Sequence, residues 1–344
     1  MAKKSLNKSI VFQEALSIPE RIKNFINNDK NNYKAVSKLL SSKKITNVIT
    51  IARGTSDNVA LFSSYLITKH FGLPVSSLPP SLITLEKSKI NLSNSIVIII
   101  SQSAKSKDLI ECGKQVKKMG AVSILISNNS QSPIIKFCDH FLYLNAGVEL
   151  GIAATKTFVL SLIVIIKIIY ENKDNEIDKK ITLLSQKLLK DESADWSISK
   201  INKKINTGFI ISRGIGLPLA YEISLKFKEL TQEFMMPYSS AEVFHGPRSL
   251  IDKKTKIFSL TMRDKSSGSI KNDLNKIKKL TPNNYEFSTK FNHKNNFYSS
   301  ASPTSYLDPI IIMSKFYPWI IGYAFSKGLD PDKPRYLKKE TDTF

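Results

Sequence analysis

Between Leu225 and Ile251 the chain reads LKFKELTQEFMMPYSSAEVFHGPRSLI, and its titratable residues are spaced as proton chemistry would need. Lys226, Lys228, Glu229, Glu233, Glu242 and His245 stand there among apolar residues, with His245 in the turn-forming context His245-Gly246-Pro247. Helical side chains three and four apart share a face, so Lys226 and Glu229 are expected to be neighbours. A carboxylate beside an ammonium on a partly buried face is either a structural ion pair or a base with its positioning cation. Ion-pair networks perturb charges as readily as active sites do, so this string alone leaves both open.

The elements that must position these residues alternate. The sequence has 344 residues, for which two domains are the natural expectation. Residues 1–39 read as a helical lead-in, with Pro19 opening a helix over 21–26. Strands are expected over 44–52, 74–78, 95–101, 121–127 and 141–144, and helices over 58–69, 107–119, 134–137 and 154–170. The stretch 95–101 (SIVIIIS) is almost wholly β-branched, which predicts a strand buried on both faces of a parallel sheet. Residues 173–195 read as a helical connection. A second alternating region follows, with strands over 206–212, 256–263 and 285–288. Its helices are a segment carrying Ala220 through Glu229, then 270–280 and 310–326, and Tyr238-Ser239-Ser240 reads as a loop. The fold expected is α/β, with a doubly wound, mainly parallel sheet in each of two domains, 40–172 and 196–330, and a tail over 331–344. A repeat supports two related halves: Ile51-x-Arg53-Gly54 with Ala60 and Ser64 matches Ile211-x-Arg213-Gly214 with Ala220 and Ser224, at a constant offset of 160.

Composition narrows the partners. The formal charge is +22, but lysine is scattered beside asparagine and isoleucine, with no basic run interleaved with aromatics. No nucleic-acid partner is expected, and a small anionic substrate fits the field. The apolar run 157–170 is short and interrupted by Lys167, so it predicts a buried helix and no membrane span. The basic amino terminus lacks a secretory apolar region, and a cytoplasmic location is expected. Cys112 and Cys138 have neither metal nor redox spacing and read as packed thiols. Without a His/Cys cluster, a Walker loop or G-x-G-x-x-G, neither a metal nor a nucleotide cofactor is expected.

Two turns could hold an anion. Gly54-Thr55-Ser56 and Ser101-Gln102-Ser103-Ala104-Lys105-Ser106 each lie between a strand's carboxyl end and a helix start, where open parallel sheets bind ligands. Unpaired N–H groups and the helix dipole favour phosphate there. Serine and threonine also serve there simply as helix caps. Two such turns in one sheet, rich in hydroxyls, point to a phosphate or sugar site. Lys226, Glu229, His245 and Lys339 could then perform aldose–ketose chemistry. A histidine can move the proton that opens a ring, a glutamate can shuttle a proton between C1 and C2, and a lysine can meet the open-chain carbonyl. His70, His140 and His293 lack such partners and read as surface or packing residues.

Taken in order, six motifs resemble those of the tandem SIS (sugar isomerase) domain proteins. They are Gly54-Thr55-Ser56, Ser101-Gln102-Ser103-x-x-Ser106, Ala146-Gly147-x-Glu149 with Ala154-Thr155-Lys156-x-Phe158, the Lys226–Glu229 helix, Ala241-Glu242-x-x-His245-Gly246-Pro247, and Asp332-Lys333-Pro334-Arg335-x-Leu337-x-Lys339. The similarity is to the isomerase half of glucosamine-6-phosphate synthase and to SIS-type aminosugar-phosphate deaminases, and it runs from about residue 40 onward. The resemblance implies that Thr55, Ser56, Ser101, Gln102, Ser103 and Ser106 hold the sugar phosphate. It implies Glu229 as proton-shuttling base with Lys226 beside it, and Lys339 at the open-chain sugar. Glu149, Ile152 and Ala153 would line the site. His245 would open the ring from the second subunit of a homodimer.

Ala104 stands where many members have glycine, which is expected to change that turn slightly. The chain begins MAKKS, without a glutaminase domain, so ammonia from glutamine is not expected by that route. The wording around Arg53–Asn58 and Ser240–Pro247 is nearer the free-standing deaminases. The expected reaction is glucosamine 6-phosphate plus water to fructose 6-phosphate plus ammonia. Galactosamine 6-phosphate or a fructosamine 6-phosphate is the alternative substrate. A non-catalytic sugar-phosphate sensor is the alternative class, and it would have no need of the Lys226, Glu229, His245 and Lys339 set.

Overall fold

The structure, a computed structural model, describes residues 5–25, 30–190, 196–293 and 296–339. Three helices come first: α1 (Ile10–Leu16), α2 (Ile18–Phe25) and α3 (Lys30–Leu40). Then follow β1 (Asn47–Ile51), α4 (Thr55–Phe71), β2 (Val75–Ser77), α5 (Pro80–Thr84), β3 (Ser95–Ile100), α6 (Lys107–Lys118), β4 (Val122–Ser127) and β5 (His140–Tyr143). Helices α7 (Lys156–Tyr170) and α8 (Ile177–Lys190) lead to β6 (Thr207–Ser212), α9 (Leu217–Lys226) and β7 (Phe234–Ser239). The order closes with β8 (Lys256–Thr261), α10 (Ser267–Ile277), β9 (Asn284–Ser288), β10 (Asn296–Tyr298) and α11 (Asp308–Ser326). No described helix is long and apolar enough to cross a membrane.

The described residues form two five-stranded sheets, ordered β2-β1-β3-β4-β5 and β10-β9-β8-β6-β7, and every pairing among them is parallel. Taken from its β7 edge, the second sheet has the order of the first, 2-1-3-4-5. The central strands explain their own composition. All six residues of β3 and all six of β8 are buried, because helices cover both faces of a parallel sheet. Gly208 on β6 is required by packing, since a Cβ there would sit 1.9 Å from the Lys256 carbonyl oxygen of β8. The repeated motif falls at the ends of corresponding strands: Arg53-Gly54 leaves β1, and Arg213-Gly214 leaves β6. Both glycines have positive φ, +57° and +61°.

The chain divides into two compact units. One, built on the first sheet, comprises Arg21–Glu149 and Thr157–Lys179; the other comprises the described residues up to Glu20, Leu150–Lys156 and Lys180–Lys339. In the first unit α7 is buried almost throughout, and Lys167 within it is satisfied by Glu171 at 2.9 Å and by Asp178. His70 meets the Tyr170 hydroxyl at 3.1 Å, and His140 Nδ1 lies 2.9 Å from Asn32 Oδ1, both packing roles. Burial pushes the Cys112 thiol up to about 12 and the Cys138 thiol up to about 11. In the second unit the core is aromatic, with Phe227, Phe258, Phe287, Phe316 and Trp319 in mutual ring contact.

Two expectations need correction. Tyr238 and Ser239 are not loop residues but the end of β7, paired with Ile211 and Ser212 of β6. Pro237 hid this strand; as an edge strand, β7 can spare the N–H that proline lacks. The helix expected through Glu229 stops being α at Lys226 and continues as a π-helical turn, Phe227–Thr231. The short edge strand β10 and helix α5 had no legible pattern. The parts of the expected connection and tail at 191–195 and 340–344 lie outside the described residues.

Candidate active site

In the first sheet β1 and β3 are neighbours whose connections leave toward opposite sides, which opens a crevice at their carboxyl ends. The two hydroxyl turns flank it. Gly54 takes φ +57° and ψ −130°, a region open to glycine alone, and α4 starts at Thr55. The second turn is clamped by its backbone. Gln102 C=O accepts from Asn128 N at 3.1 Å and from Ser127 Oγ at 3.2 Å, and Ser103 C=O accepts from Asn129 Nδ2 at 2.9 Å. Ser101 Oγ accepts from Ala104 N at 3.0 Å, so its oxygen serves the turn. Ala104 adopts φ +47°, the left-handed conformation that glycine takes more easily, and is buried there. Ser106 precedes α6 without capping it through its side chain. Arg53 from the first turn is ion-paired with the buried Asp108 of α6, which ties the two turns together. The result is two helix amino termini and several hydroxyls at one sheet end, an arrangement that can bind a phosphate.

The second unit holds the charged cluster. Lys226, at the end of α9, is fully buried, with Nζ 2.6 Å from Glu229 Oε2 and 3.4 Å from Glu222 Oε1. Glu222 is also fully buried and accepts from Tyr317 Oη of α11 at 3.0 Å. Burial alone would push the Lys226 pKa down, but the two carboxylates outweigh it and the net shift is upward, so Lys226 stays an ammonium. Glu229 keeps 20% of its side chain exposed, so it is the member of the cluster that meets solvent. The π turn widens the helix between these two residues, a feature common at functional sites. The neighbourhood expected from spacing is therefore present, with a third carboxylate beyond it.

His245 ends a short 3-10 turn, Glu242–His245, and is exposed; its ring makes no hydrogen bond or ring contact with the described residues. Glu233 belongs to a different, buried network with Lys256 at 3.0 Å, Tyr323 at 2.6 Å and Lys327 at 2.7 Å. Lys339 donates to Gly151 C=O at 2.5 Å, which sets it beside Ile152 and the buried Ala153. The tail that carries Lys339 is anchored through Asp332, whose carboxylate accepts from Ser9 Oγ, Ile10 N and Val11 N at 2.9–3.0 Å. A residue far along the chain thus caps the amino terminus of α1. Glu14 fixes the loop before Ile152, accepting from Leu150 N at 2.5 Å and Gly151 N at 3.0 Å. Glu149 spends its carboxylate on Thr157 N and Oγ1, at 3.2 and 2.6 Å, at the start of α7.

Sequence reasoning missed Glu222, Tyr317, Asp108 and Glu14. Glu222 was legible in the sequence, one helical turn before Lys226. The other three join their partners only through the fold.

A family model for the SIS domain matches residues 39–168. That segment of the chain is a SIS domain. It is 29% identical over 350 residues to a glutamine–fructose-6-phosphate aminotransferase of Buchnera aphidicola subsp. Baizongia pistaciae, a match covering 95% of this chain and 57% of that protein. The chain thus spans little more than half the length of the curated relatives it matches. Among solved structures it resembles the carboxyl-terminal domain of the Francisella tularensis glucosamine-fructose-6-phosphate aminotransferase, with a TM-score of 0.80, 24% identity, and 94% and 97% of the two chains covered. It also resembles a glucosamine-6-phosphate deaminase from Thermotoga maritima, with a TM-score of 0.75, 20% identity, and 97% and 100% covered. At these identities the structures speak for the fold.

Proposed function

We propose that this SIS protein is an aminosugar-phosphate deaminase and isomerase, converting glucosamine 6-phosphate and water to fructose 6-phosphate and ammonia. The observation that carries the reading is the Lys226–Glu229 pair: a carboxylate open to solvent, held 2.6 Å from a permanently charged, fully buried ammonium. A base held in one place by a fixed cation suits repeated proton transfer between adjacent carbons. Thr55, Ser56, Ser101, Gln102, Ser103 and Ser106 hold the phosphate. His245, exposed and without an intramolecular partner among the described residues, opens the ring of a substrate bound by the other subunit of a homodimer. Glu229 then moves a proton from C2 to C1, the aminoaldose becomes a ketimine, and water releases ammonia. Lys339 meets the open-chain carbonyl carbon. By this reading both halves of the chain are SIS domains in tandem, which their shared strand order supports.

A second reading has a specific observation behind it. The relatives covering 95–98% of this chain are aminotransferases, in which the same sugar chemistry runs toward the amino sugar. Ammonia release measured over glucosamine 6-phosphate, galactosamine 6-phosphate and fructosamine 6-phosphate tests the proposal. Release from glucosamine 6-phosphate supports it. Binding of all three without ammonia release would replace it with a sugar-phosphate sensor. Turnover seen only as amination of fructose 6-phosphate would favour the aminotransferase reading.

A further inference from the structure

Past Lys226 the backbone takes two unfavourable steps in succession. Phe227–Thr231 form the π turn, and Gln232 after it adopts φ +56° and ψ +26°, the left-handed conformation. π turns are rare, and a residue with a side chain enters the left-handed region at a cost, so both persist where surrounding structure holds them. In an unbroken α-helix Glu233, four residues on, would share a face with Glu229. Here the two carboxylates part: Glu229 stays partly open to solvent, and the Glu233 side chain is wholly buried.

Charge-assisted bonds within the same unit hold Glu233 in the core. Its Oε1 accepts from Tyr323 Oη at 2.6 Å and from Lys327 Nζ at 2.7 Å, and its Oε2 accepts from Lys256 Nζ at 3.0 Å. Lys256 also donates to Tyr323 Oη at 3.0 Å, and Lys327 to Asn206 Oδ1 at 2.7 Å. Burial pushes the Lys256 pKa down, and Glu233 is the group that opposes the shift. Buried ion pairs add little stability over apolar packing, which leaves the geometry they impose as their use. That geometry reaches the π turn through one carbonyl. Phe227 C=O accepts from Gln232 N, from Thr231 Oγ1 at 2.6 Å and from Glu233 N at 3.4 Å. Glu229 lies between the ends of the ring closed in this way.

We propose that Glu233 is a positioning residue: locked to Lys256, Lys327 and Tyr323, it fixes the π turn and so aims the Glu229 carboxylate at the substrate carbons. The inference rests on Glu229 being the base of the reaction proposed above. Glu233 acts only through the turn.

Ammonia release from glucosamine 6-phosphate by the full chain tests this, with rates referred to the folded fraction measured by circular dichroism. Glu233→Gln keeps the shape of the side chain and removes its charge. It is expected to lower kcat about tenfold and to change KM by less than about twofold, because a misaimed base costs rate and not binding. In the Glu229→Gln background the same substitution is expected to change kcat by less than about twofold, since the turn then has no base to aim. Glu233→Gln leaves Lys256 and Lys327 without their carboxylate, so the second variant joins it to Lys256→Met, removing the buried pair together. The same loss of about tenfold in kcat is expected from that variant. The proposal falls if kcat per folded molecule is unchanged in either variant, as for a merely structural glutamate that lowers Tm alone. It also falls if Glu233→Gln costs as much without Glu229 as with it. If the wild type releases no ammonia, or Glu229→Gln is itself without effect, the reaction assigned to Glu229 falls first and takes this inference with it.

Discussion

At the carboxyl end of β3 the chain turns through Ser101–Ser106, and at the corresponding end of β8 it turns through Met262-Arg263-Asp264-Lys265-Ser266. The strand order around the two turns is the same, so topology offers a crevice at both. Their chemistry differs. In the first, backbone carbonyls carry the clamping bonds, and the Ser103 and Ser106 hydroxyls make none with the described residues. In the second, Arg263 forks onto the buried Asp308 at 2.6 and 2.9 Å and onto Ser302, while Ser266 Oγ is spent on Asp264 at 2.6 Å. Asp308 also takes bonds from Thr289 Oγ1 and Ser302 Oγ, at 2.8 and 2.6 Å. A switch point becomes a site where its donors are left unspent, and a structural joint where side chains consume them. The proposed function assigns phosphate binding to the first of these turns and proton transfer to Lys226 and Glu229.

The sharpest way to break that division is Glu229→Gln. It is expected to lower kcat for ammonia release by about 10²–10⁴-fold with KM nearly unchanged. A rise in KM with kcat intact would return Glu229 to substrate binding. Next in size is Lys226→Met, which leaves the Glu222 carboxylate buried without its cation. Unfolding in urea should show a loss of about 3–5 kcal/mol. The pH dependence follows from the upward shift of Lys226. A group whose folded pKa is raised stabilises fully below its unfolded value, here the ordinary 10.5, and loses that contribution only as pH rises through the higher folded value. The wild-type chain should therefore show no loss of stability from this group between neutral pH and about 10, checked by Tm across that range.

Arg263→Ala tests the joint of the second sheet. It removes charge-assisted bonds to Asp308 but leaves that carboxylate its hydroxyl donors, so about 2 kcal/mol of stability should be lost. KM for glucosamine 6-phosphate in the surviving folded protein should stay within about twofold; a large rise would mean that the second sheet also binds substrate. The smallest effect is expected from Ser103→Ala and Ser106→Ala singly, each raising KM by about tenfold with Tm unchanged, since neither hydroxyl holds the fold.

The sequence by itself determined the alternation of strands and helices, the buried centre of the first sheet, the repeat that marks corresponding strands, and the Lys226–Glu229 neighbourhood. All of these rest on local periodicity: β-branched runs, helix spacing, and glycine at turns that need positive φ. It could not tell a catalytic pair from a structural one, because that depends on what else surrounds the ammonium. Glu222 and Tyr317, from α9 and α11, decide that Lys226 is held as a cation while Glu229 remains open. Nor could spacing show that Asp332 caps α1, that Pro237 sits in an edge strand, or that α9 widens into a π turn. Each of these joins residues distant in sequence or turns on which strand lies at the edge of a sheet, and only the tertiary structure settles such matters.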